Sequence, residues 1–363
     1  MDKIVIFHAA AIGDAVMATP VSAALRKTYP QAKIVCITHE SLLTLLARVP
    51  TIDECVAFDK SELTGPIRQQ IQALKPNLIV DLSGSSKSFW QTTLLAKKIV
   101  RYKKQDPKEK NTKHAVANFL ETLKPLGIEL DIPPFPTLFP AQSDKDSVRR
   151  QLVKEGRRLV ALVPGVGSAR PHRAWPESQW VALAKAVLWQ EQHAVLLIGG
   201  SDERTMCSRI AEQAGKGCYN LAGKLSLPET AGALSICDAI VSGDTGPAHL
   251  GIAVGTPVVG IYGPTKLERS GPYDMQNHCI SVSDQCKCLH LKSCPLSSES
   301  SGACMQQIPY KVVYEKLEPL IRVQDEDVES TVRQDDWGHL DLDQEIDIET
   351  MLSDERDRAN DDM

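Results

Sequence analysis

The chain has 363 residues, of which 42% are hydrophobic and 24% are charged. This composition is typical of a globular protein and excludes collagen-like, disordered and small disulfide-stapled chains. The length predicts two domains. Aromatic residues make up only 5% of the chain, which argues against a stacking surface for single-stranded nucleic acid. We therefore expect no nucleic-acid partner.

The net charge of −5 is unevenly distributed along the chain. From Gln324 to the end there are 16 acidic and 3 basic residues, whereas the preceding part carries 38 basic and 30 acidic ones. A basic body favours anionic ligands such as phosphates, sugar acids or a membrane surface. We expect the acidic tail to be disordered, apart from a short helix around Leu342–Met351.

No run approaches the ~18 consecutive apolar residues of a membrane-spanning helix. The first apolar segment is interrupted by His8 and Asp14, so it lacks the continuous core of a signal peptide. We therefore expect a cytoplasmic protein. In that compartment most of the ten cysteines should be reduced, metal-bound or inert.

Short apolar runs alternate with amphipathic stretches of helix length through the first half of the chain. The predicted strands are Ile4–Phe7, Ile34–Thr38, Cys55–Phe58 and Leu78–Leu82. The predicted helices are Ala15–Thr28, Ser41–Arg48, Pro66–Leu74, Ser86–Lys98 and His114–Leu126. This alternation predicts a parallel sheet that is covered by helices on both faces.

A proline-rich stretch then separates two similar halves. Four prolines within residues 133–140 predict a linker from Asp131 to Asp146. Beyond it, the predicted strands are Leu159–Val163, Ala194–Ile198, Ala239–Ser242 and Val258–Tyr262. The predicted helices are Pro176–Gln190, Glu203–Ala214, Leu227–Ile236 and Pro247–Val254.

This pattern predicts an α/β protein with two doubly wound domains that face each other across a cleft. The predicted domains are residues 1–145 and 146–323, followed by the tail at residues 324–363. In such sheets, ligands bind beyond the carboxyl ends of the strands. Residues that carry chemistry are therefore expected at those ends.

The first candidate site is the turn Phe7–Ala15, where a predicted strand leads into a helix. Gly13 permits a close approach of another part of the chain. Asp14 can be the N-cap of the helix or a general base that the helix dipole keeps ionised, and both roles can hold at once. The turn lacks the G-x-G-x-x-G pattern, which disfavours dinucleotide binding.

The second candidate site is the glycine-containing loop Val163–Pro176. Its backbone N–H groups, the Ser168 hydroxyl and the Arg173 guanidinium can contact a phosphate. The alternative is a solvent loop with incidental arginines.

The third candidate site is the segment Ser242–His249. Thr245 or Gly246 is predicted to cap a helix whose free N–H groups form an anion site, to which His249 adds a donor. The alternative is a structural helix with a satisfied histidine, but the pattern Asp244-Thr245-Gly246-x-x-His249 favours function.

Two further residues follow predicted strand ends. Glu203 can accept hydrogen bonds from ribose hydroxyls, or it can be an ordinary acidic residue of a first helical turn. Lys224 follows Leu221-Ala222-Gly223 near the same rim, and it is a surface lysine unless the cleft includes it.

Four late cysteines form a weak candidate for a structural metal site: Cys286, Cys288, Cys294 and Cys304. They could ligate zinc, but buried reduced thiols are favoured because the spacing is not that of paired C-x-x-C motifs. No Asp-x-Asp pair follows a strand end. We therefore expect no cofactor and no metal at the phosphates, whose charge would be neutralised by cationic side chains and helix N-termini.

These motifs together resemble glycosyltransferase family 9, the ADP-heptose:lipopolysaccharide heptosyltransferases. The likeness covers roughly residues 1–323 in the correct order. The matching segments are Ile12–Ala15 with Thr19-Pro20, Pro164-Gly165, Arg173–Pro176, Gly199-Gly200-x-x-Glu203, Leu221–Lys224, Ser242–His249, Gly263–Thr265 and Cys304-Met305.

The resemblance implies a GT-B fold, two Rossmann-like domains facing across a cleft. It also implies inverting, metal-independent transfer of heptose from ADP-heptose to the lipopolysaccharide inner core. The acceptor, an anionic lipid-linked saccharide, would bind the N-terminal domain, with peripheral contact to the cytoplasmic face of the inner membrane. The alternatives are a transferase or epimerase for another nucleotide sugar and a non-catalytic nucleotide-sugar-binding regulator.

The same resemblance assigns roles to individual residues. Asp14 matches the proposed base, the Asp244–His249 segment matches the donor-phosphate site, and Glu203 matches the ribose contact. Arg173 stands where the family usually has lysine. It keeps the positive charge but cannot donate a proton as an acid. The pair Ser168-Ala169 replaces a hydroxyl-rich pair that some members have.

Overall fold

A computed structural model gives the structure of most of the chain. The described residues are 2–9, 11–58, 66–105, 112–130, 134–150, 152, 157–167, 170–286, 289, 291, 293–296 and 302–322. The acidic tail and the helix predicted at Leu342–Met351 lie outside these residues.

Five parallel strands form the first sheet, in the order β3-β2-β1-β4-β5. The strands are β1 (Lys3–His8), β2 (Lys33–His39), β3 (Glu54–Phe58), β4 (Leu78–Asp81) and β5 (Lys98–Arg101). The α-helices of this half are α1 (Ile12–Met17), α2 (Thr19–Thr28), α3 (Leu43–Leu46), α4 (Pro66–Leu74), α5 (Ser86–Thr92) and α6 (Ala115–Leu120). Short 3-10 helices occur at Glu40–Leu42 and Glu121–Leu126.

Six parallel strands form the second sheet, in the order β11-β10-β9-β6-β7-β8. They are β6 (Arg158–Val163), β7 (His193–Leu197), β8 (Cys218–Asn220), β9 (Ala239–Gly243), β10 (Val258–Tyr262) and β11 (Ile280–Ser281). The helices are α7 (Gln142–Arg149), α8 (Glu177–Trp189), α9 (Arg204–Ala214), α10 (Leu227–Ser235), α11 (Gly246–Ala253), α12 (Leu267–Ser270), α13 (Ala303–Gln306) and α14 (Tyr310–Arg322). The 3-10 helices are Pro171–Arg173, Ser201–Glu203, Gln276–His278 and Ser283–Gln285.

The central strands are buried because their sequences are almost continuously apolar. Ile4–Phe7 in β1 and Val160–Val163 in β6 have at most 4% of their surface exposed. Such strands need helices on both faces of a parallel sheet, which is the arrangement found here. The α/β class and the two parallel sheets predicted from the sequence are therefore confirmed.

Several elements differ from the sequence predictions, and three of the differences affect the first helix, the edge of the first sheet and the connector. The helix predicted at Ala15–Thr28 is two helices, because Pro20 lacks an N–H donor and fits only the first turn of α2. The helix predicted at Ser86–Lys98 ends at Thr92, and the edge strand β5 follows it. The linker predicted up to Asp146 ends earlier, because Gln142–Arg149 forms α7. The predicted domain boundary after residue 145 falls inside α7, and the domain division stays a prediction.

The proline-rich connector is fixed to both halves. The Leu138 N–H donates to the carbonyl of Ala253 at 2.8 Å, and the Phe139 N–H donates to the carbonyl of Arg48 at 3.1 Å. Arg48 also pairs with Asp144 at 3.3 Å. Residues Met1–Arg322 accordingly form one compact unit.

One apolar cluster continues across both halves beneath this connector. It includes Val16 and Leu45 from the first half and Leu234 and Leu250 from the second, and all four have no exposed surface. Leu138, which is 2% exposed, packs in the same cluster. The connector therefore contributes to the core.

Leu138→Ala should lower the free energy of unfolding by about 2–4 kcal/mol, because the substitution removes buried apolar contacts and leaves a cavity. Phe139→Ala is the matched control, since its side chain is 62% exposed and it should change stability by about 0.5 kcal/mol or less. Urea unfolding of the two variants measures both values. Equal losses would show that the connector is not part of the core.

Candidate active site

The strand orders place two switch points at the carboxyl edges of the sheets. β1 lies between β2 and β4, and β6 lies between β7 and β9. Ligands of doubly wound sheets bind at such points. The segments that follow β1, β6 and β9 carry Asp14, Arg173 and Asp244, respectively. The placement of these residues at strand ends is therefore as predicted.

The two switch points meet where α1 contacts α11. A Cβ atom on Gly13 would lie 2.7 Å from Cδ2 of His249, and one on Gly246 would lie 3.1 Å from Cβ of Ile12. Neither position leaves space for a side chain. The close approach predicted at Gly13 is confirmed, and the partner that makes it is His249.

Asp14 lies in the first turn of α1, and its side chain is exposed. The interpretation of Asp14 as the N-cap is wrong, because Ala11 occupies that position and makes no side-chain cap. Protein atoms around the carboxylate remove part of its hydration and raise its pKa, although one side remains open to solvent. Lys104 and Arg269 lower the pKa, and Asp244 raises it.

Arg173 and Asp244 form an ion pair between the two switch-point segments of the second sheet. Arg173 Nη1 donates to Oδ2 of Asp244 at 2.5 Å, and each side chain is 13% exposed. Desolvation lowers the pKa of Arg173, and Asp244 opposes this effect. The carboxylate therefore orients the guanidinium. The sequence predicted both residues as phosphate contacts but did not predict that they pair.

Thr245 occupies the N-cap position of α11, and its side chain does not cap the helix. Its hydroxyl instead lies 3.0 Å from the hydroxyl of Ser242. The Gly246 end of α11 is half-buried, and its partial positive charge points out of the second sheet. Ser168, the other hydroxyl predicted here, lies outside the described residues.

His249 is 5% exposed and packs against Gly13. Desolvation lowers its pKa to about 4, while Asp244 raises it and His114 lowers it. The imidazole is therefore neutral near pH 7. It can donate one hydrogen bond to an anion but brings no positive charge.

Glu203 folds back over the glycine-rich ends of β6 and β7. Its carboxylate accepts the N–H of Gly167 at 3.2 Å and the N–H of Gly200 at 2.5 Å. A Cβ on Gly165 would lie 2.0 Å from Oε1 of Glu203. The carboxylate thus organises both loops, and each oxygen keeps a lone pair for a further donor.

Lys224 is exposed beyond β8. Its loop is close to the β7 loop, because a Cβ on Gly223 would lie 2.7 Å from Cα of Ser201. Gly223 also has a φ of +65°, which favours glycine. Lys224 therefore lies on the same edge of the second sheet as Glu203. It is not part of the ion pair between Arg173 and Asp244.

Sequence reasoning missed the two cations that lower the pKa of Asp14, Lys104 and Arg269. Lys104 follows β5, a strand that the sequence analysis did not predict, and Arg269 lies on the short α12. Tyr102, which also interacts with Asp14, stacks on Phe119 at 4.6 Å. Recognition of Lys98–Arg101 as a strand would have placed Lys104 at the carboxyl edge. No sequence signal singled out Arg269.

The candidate cysteine site is only partly visible. The sulfurs of Cys286 and Cys304 lie 3.7 Å apart, and Cys288 lies outside the described residues. Among the described residues, no group of three or more His, Cys, Asp or Glu side chains is arranged to hold a metal ion. The same part of the chain contains no helix long and apolar enough to cross a bilayer.

Comparison with known proteins identifies the family. Residues 72–298 match the model of "Glycosyltransferase family 9 (heptosyltransferase)". Lipooligosaccharide heptosyltransferase 2 of Haemophilus ducreyi is 25% identical over 316 residues, which cover 78% of this chain and 89% of that protein. The motif-based resemblance is therefore confirmed.

Solved structures show the same fold. A family 9 glycosyltransferase from Veillonella parvula aligns with a TM-score of 0.73 and 21% identity, covering 88% of this chain and 97% of that one. ADP-heptose lipopolysaccharide heptosyltransferase II of Escherichia coli gives a TM-score of 0.70 and 21% identity over 88% and 98% of the chains.

Two parallel Rossmann-like sheets whose switch points meet define a GT-B glycosyltransferase fold. The chain belongs to glycosyltransferase family 9, the heptosyltransferase family, and it is a glycosyltransferase enzyme.

Folding should become less favourable as the pH falls from 6.5 to 4, because His249 takes up a proton more readily in the unfolded chain than in the folded one. The shift corresponds to about 3 kcal/mol over this window. His249→Gln should reduce the slope of unfolding free energy against pH, measured by urea titration. His278→Gln, at a half-exposed position, is the control. An unchanged slope in His249→Gln would contradict the assignment.

Proposed function

We propose that the enzyme transfers heptose from ADP-heptose to the inner core of lipopolysaccharide. The names of its relatives support these substrates. The observation that carries the proposal is the juxtaposition of Asp14 with the Asp244–His249 segment at the contact between α1 and α11. This places a carboxylate from one sheet beside an anion-binding helix terminus from the other.

Asp14 is the proposed general base. It accepts the proton of the acceptor hydroxyl as that oxygen attacks the anomeric carbon, and ADP leaves from the opposite face with inversion. Partial loss of hydration raises the pKa of Asp14, which makes the carboxylate a stronger base than an ordinary aspartate. Lys104 and Arg269 oppose this rise, because each favours the charged form of the carboxylate.

The diphosphate gains negative charge as its bond to the sugar breaks. In the proposed mechanism Arg173, oriented by Asp244, and the N–H groups at the start of α11 stabilise that charge. Lys224 adds a cation from the rim, and the neutral His249 adds a hydrogen bond. These groups carry the neutralisation without assistance from a metal ion.

The remaining donor contacts follow from the glycine-rich loops. Glu203 accepts backbone N–H groups of Gly167 and Gly200 and is proposed to accept a ribose hydroxyl as well. Ser168 belongs to the same loop in sequence and stays a predicted phosphate contact. The two roles of Glu203 are compatible, because a carboxylate has about four acceptor positions.

The proposed acceptor is an anionic lipid-linked saccharide bound by the half that contains β1–β5. Basic residues exceed acidic ones by 38 to 30 before Gln324, which suits such an acceptor. We propose that the enzyme works in the cytoplasm and associates peripherally with the cytoplasmic face of the inner membrane.

Asp14→Asn should reduce heptose transfer by about 10²–10⁴-fold, the usual contribution of a general base. The change removes the proton acceptor and keeps the shape of the side chain. Release of ADP from ADP-heptose in the presence of a Kdo-containing lipid acceptor measures the rate. ADP affinity, measured by calorimetry, should stay within about twofold, since Asp14 does not contact the diphosphate in the proposed mechanism.

Equal transfer rates in wild type and Asp14→Asn would refute the base assignment. Thermal shifts with ADP, UDP, GDP and CMP test the donor in the same preparations. Stabilisation by ADP above the others supports ADP-heptose. A larger shift with another nucleotide, or nucleotide binding without turnover on any acceptor, would support the alternative transferase, epimerase or regulator.

Arg173→Met should lower kcat by about 10²–10³-fold, because one cationic donor to the leaving diphosphate is lost and Asp244 is left without its partner. Arg173→Lys should restore most of the activity, since the charge is retained. Asp244→Asn separates the positioning role, and we expect a smaller loss of kcat there. Equal activity of Arg173→Met and wild type would exclude a role at the leaving group.

A further inference from the structure

An exposed apolar patch lies on the first half of the enzyme, at α5 and the turn after it. The patch consists of Phe89, Trp90 and Leu94, which are 44%, 73% and 87% exposed. Phe89 and Trp90 pack edge to face with ring centroids 5.7 Å apart. Large apolar side chains clustered this way mark an interaction surface more often than scattered single residues do.

The backbone holds this patch outward at a cost. Leu94 has a φ of +64°, a conformation that bulky residues rarely adopt. The neighbouring turn is fixed by Arg68, whose Nη1 donates to the carbonyls of Trp90 and Thr93 at 2.9 Å each. A leucine in a strained backbone conformation that remains exposed to solvent does not stabilise the fold. Its exposure therefore indicates a binding role.

The chain segment that carries the patch is rich in basic residues. Residues 66–105 contain eight lysines and arginines and a single acidic residue, Asp81, which is 1% exposed. The guanidinium of Arg101 lies 4.6 Å from the centre of the Phe89 ring. The exposed lysines of this segment are Lys75, Lys87, Lys97, Lys98, Lys103 and Lys104.

The patch is connected directly to the candidate active site. The Ala9 N–H, in the segment that leads to Asp14, donates to Oγ of Ser83 at 2.9 Å. Ser85 then caps α5 by accepting the N–H of Ser88 at 3.1 Å. From this cap to Trp90 the helix rises about 8 Å. A surface that met the patch would therefore lie near the proposed acceptor side.

We propose that Phe89, Trp90 and Leu94 insert into the headgroup region of an anionic lipid bilayer while exposed lysines of the same segment contact the lipid phosphates. Tryptophan and leucine beside lysine and arginine are the side chains that anchor proteins at such interfaces. The inference rests on the proposed function insofar as a lipid-linked acceptor gives the enzyme a reason to dock there.

Vesicle flotation tests the proposal with the full chain. Wild type should float with phosphatidylglycerol/phosphatidylethanolamine vesicles, less with phosphatidylcholine vesicles, and less as salt is raised. Trp90→Ser with Leu94→Ser should weaken binding by about tenfold or more, since two apolar side chains no longer leave water. Trp189→Ser is the matched control, because Trp189 is 87% exposed on α8 and should bind as wild type does.

A charge variant tests the electrostatic part. Lys87→Gln, Lys97→Gln and Lys98→Gln together should weaken vesicle binding by about tenfold or more and reduce its dependence on salt. The control is the same exchange at the exposed Lys185, Lys216 and Lys311 of the other half. Equal loss in both triple variants would overturn the proposal, because the attraction would then belong to the whole protein.

Two other outcomes would also overturn it. Wild type that does not float with anionic vesicles has no such surface. A dimer at micromolar concentration that Trp90→Ser/Leu94→Ser abolishes would assign the patch to a second copy of the chain. Thermal unfolding at the wild-type temperature establishes that each variant is folded.

Transfer assays keep this proposal separate from the proposed function. Trp90→Ser/Leu94→Ser should lower kcat/KM about tenfold on acceptor embedded in anionic vesicles and leave it unchanged on a deacylated, water-soluble acceptor. If wild type transfers heptose to neither acceptor, the proposed function is refuted. The vesicle flotation result then tests by itself whether the patch binds a bilayer. Equal losses on both acceptors would contradict membrane docking.

Discussion

The contact between Gly13 and His249 brings Asp14 to the Asp244–His249 segment, and the proposed reaction depends on it. It brings the first helix of one sheet against the corresponding helix of the other, with no space for a Cβ at Gly13. Asp14 and Asp244 lie close enough for their charges to interact because this contact exists. A side chain at Gly13 would separate the base from the anion site without altering either.

The charges at this contact are balanced by pairing. Two carboxylates, Asp14 and Asp244, interact at this contact, and Asp244 raises the pKa of Asp14. Arg173 pairs with Asp244, while Lys104 and Arg269 act on Asp14. The buried His249 stays neutral, since its pKa is lowered to about 4. Each carboxylate at the site thus has a cation that acts on it, and the neutral His249 adds a hydrogen-bond donor.

Strong periodicity made most of the fold predictable. Buried strands such as Ile4–Phe7 and Val258–Tyr262 are continuous apolar runs, and their positions in the structure agree with the sequence. The strands that were missed, β5, β8 and β11, have two to four residues and lie toward the sheet edges. Short edge strands bury too few apolar side chains to produce a recognisable hydrophobic pattern in the sequence. Their position is determined by hydrogen bonding to the neighbouring strand.

The candidate site was predictable in part for the same reason. Motifs at strand ends identified Asp14, Arg173, Glu203 and Asp244, because local sequence signals a strand followed by a glycine or a helix. The Arg173–Asp244 pair joins residues 71 positions apart, and no local pattern encodes such a contact. Lys104 was not predicted as a site residue, because β5, the strand that precedes it, was not predicted.

The cations beside Asp14 have a consequence for the proposed reaction. Lys104 and Arg269 lower the pKa of the carboxylate, and the same two cations are available to an anionic acceptor. When such an acceptor binds, its negative charge weakens their effect on Asp14 and excludes water from it. Both changes raise the pKa of the base. Asp14 would therefore become more basic when the hydroxyl that it deprotonates has arrived.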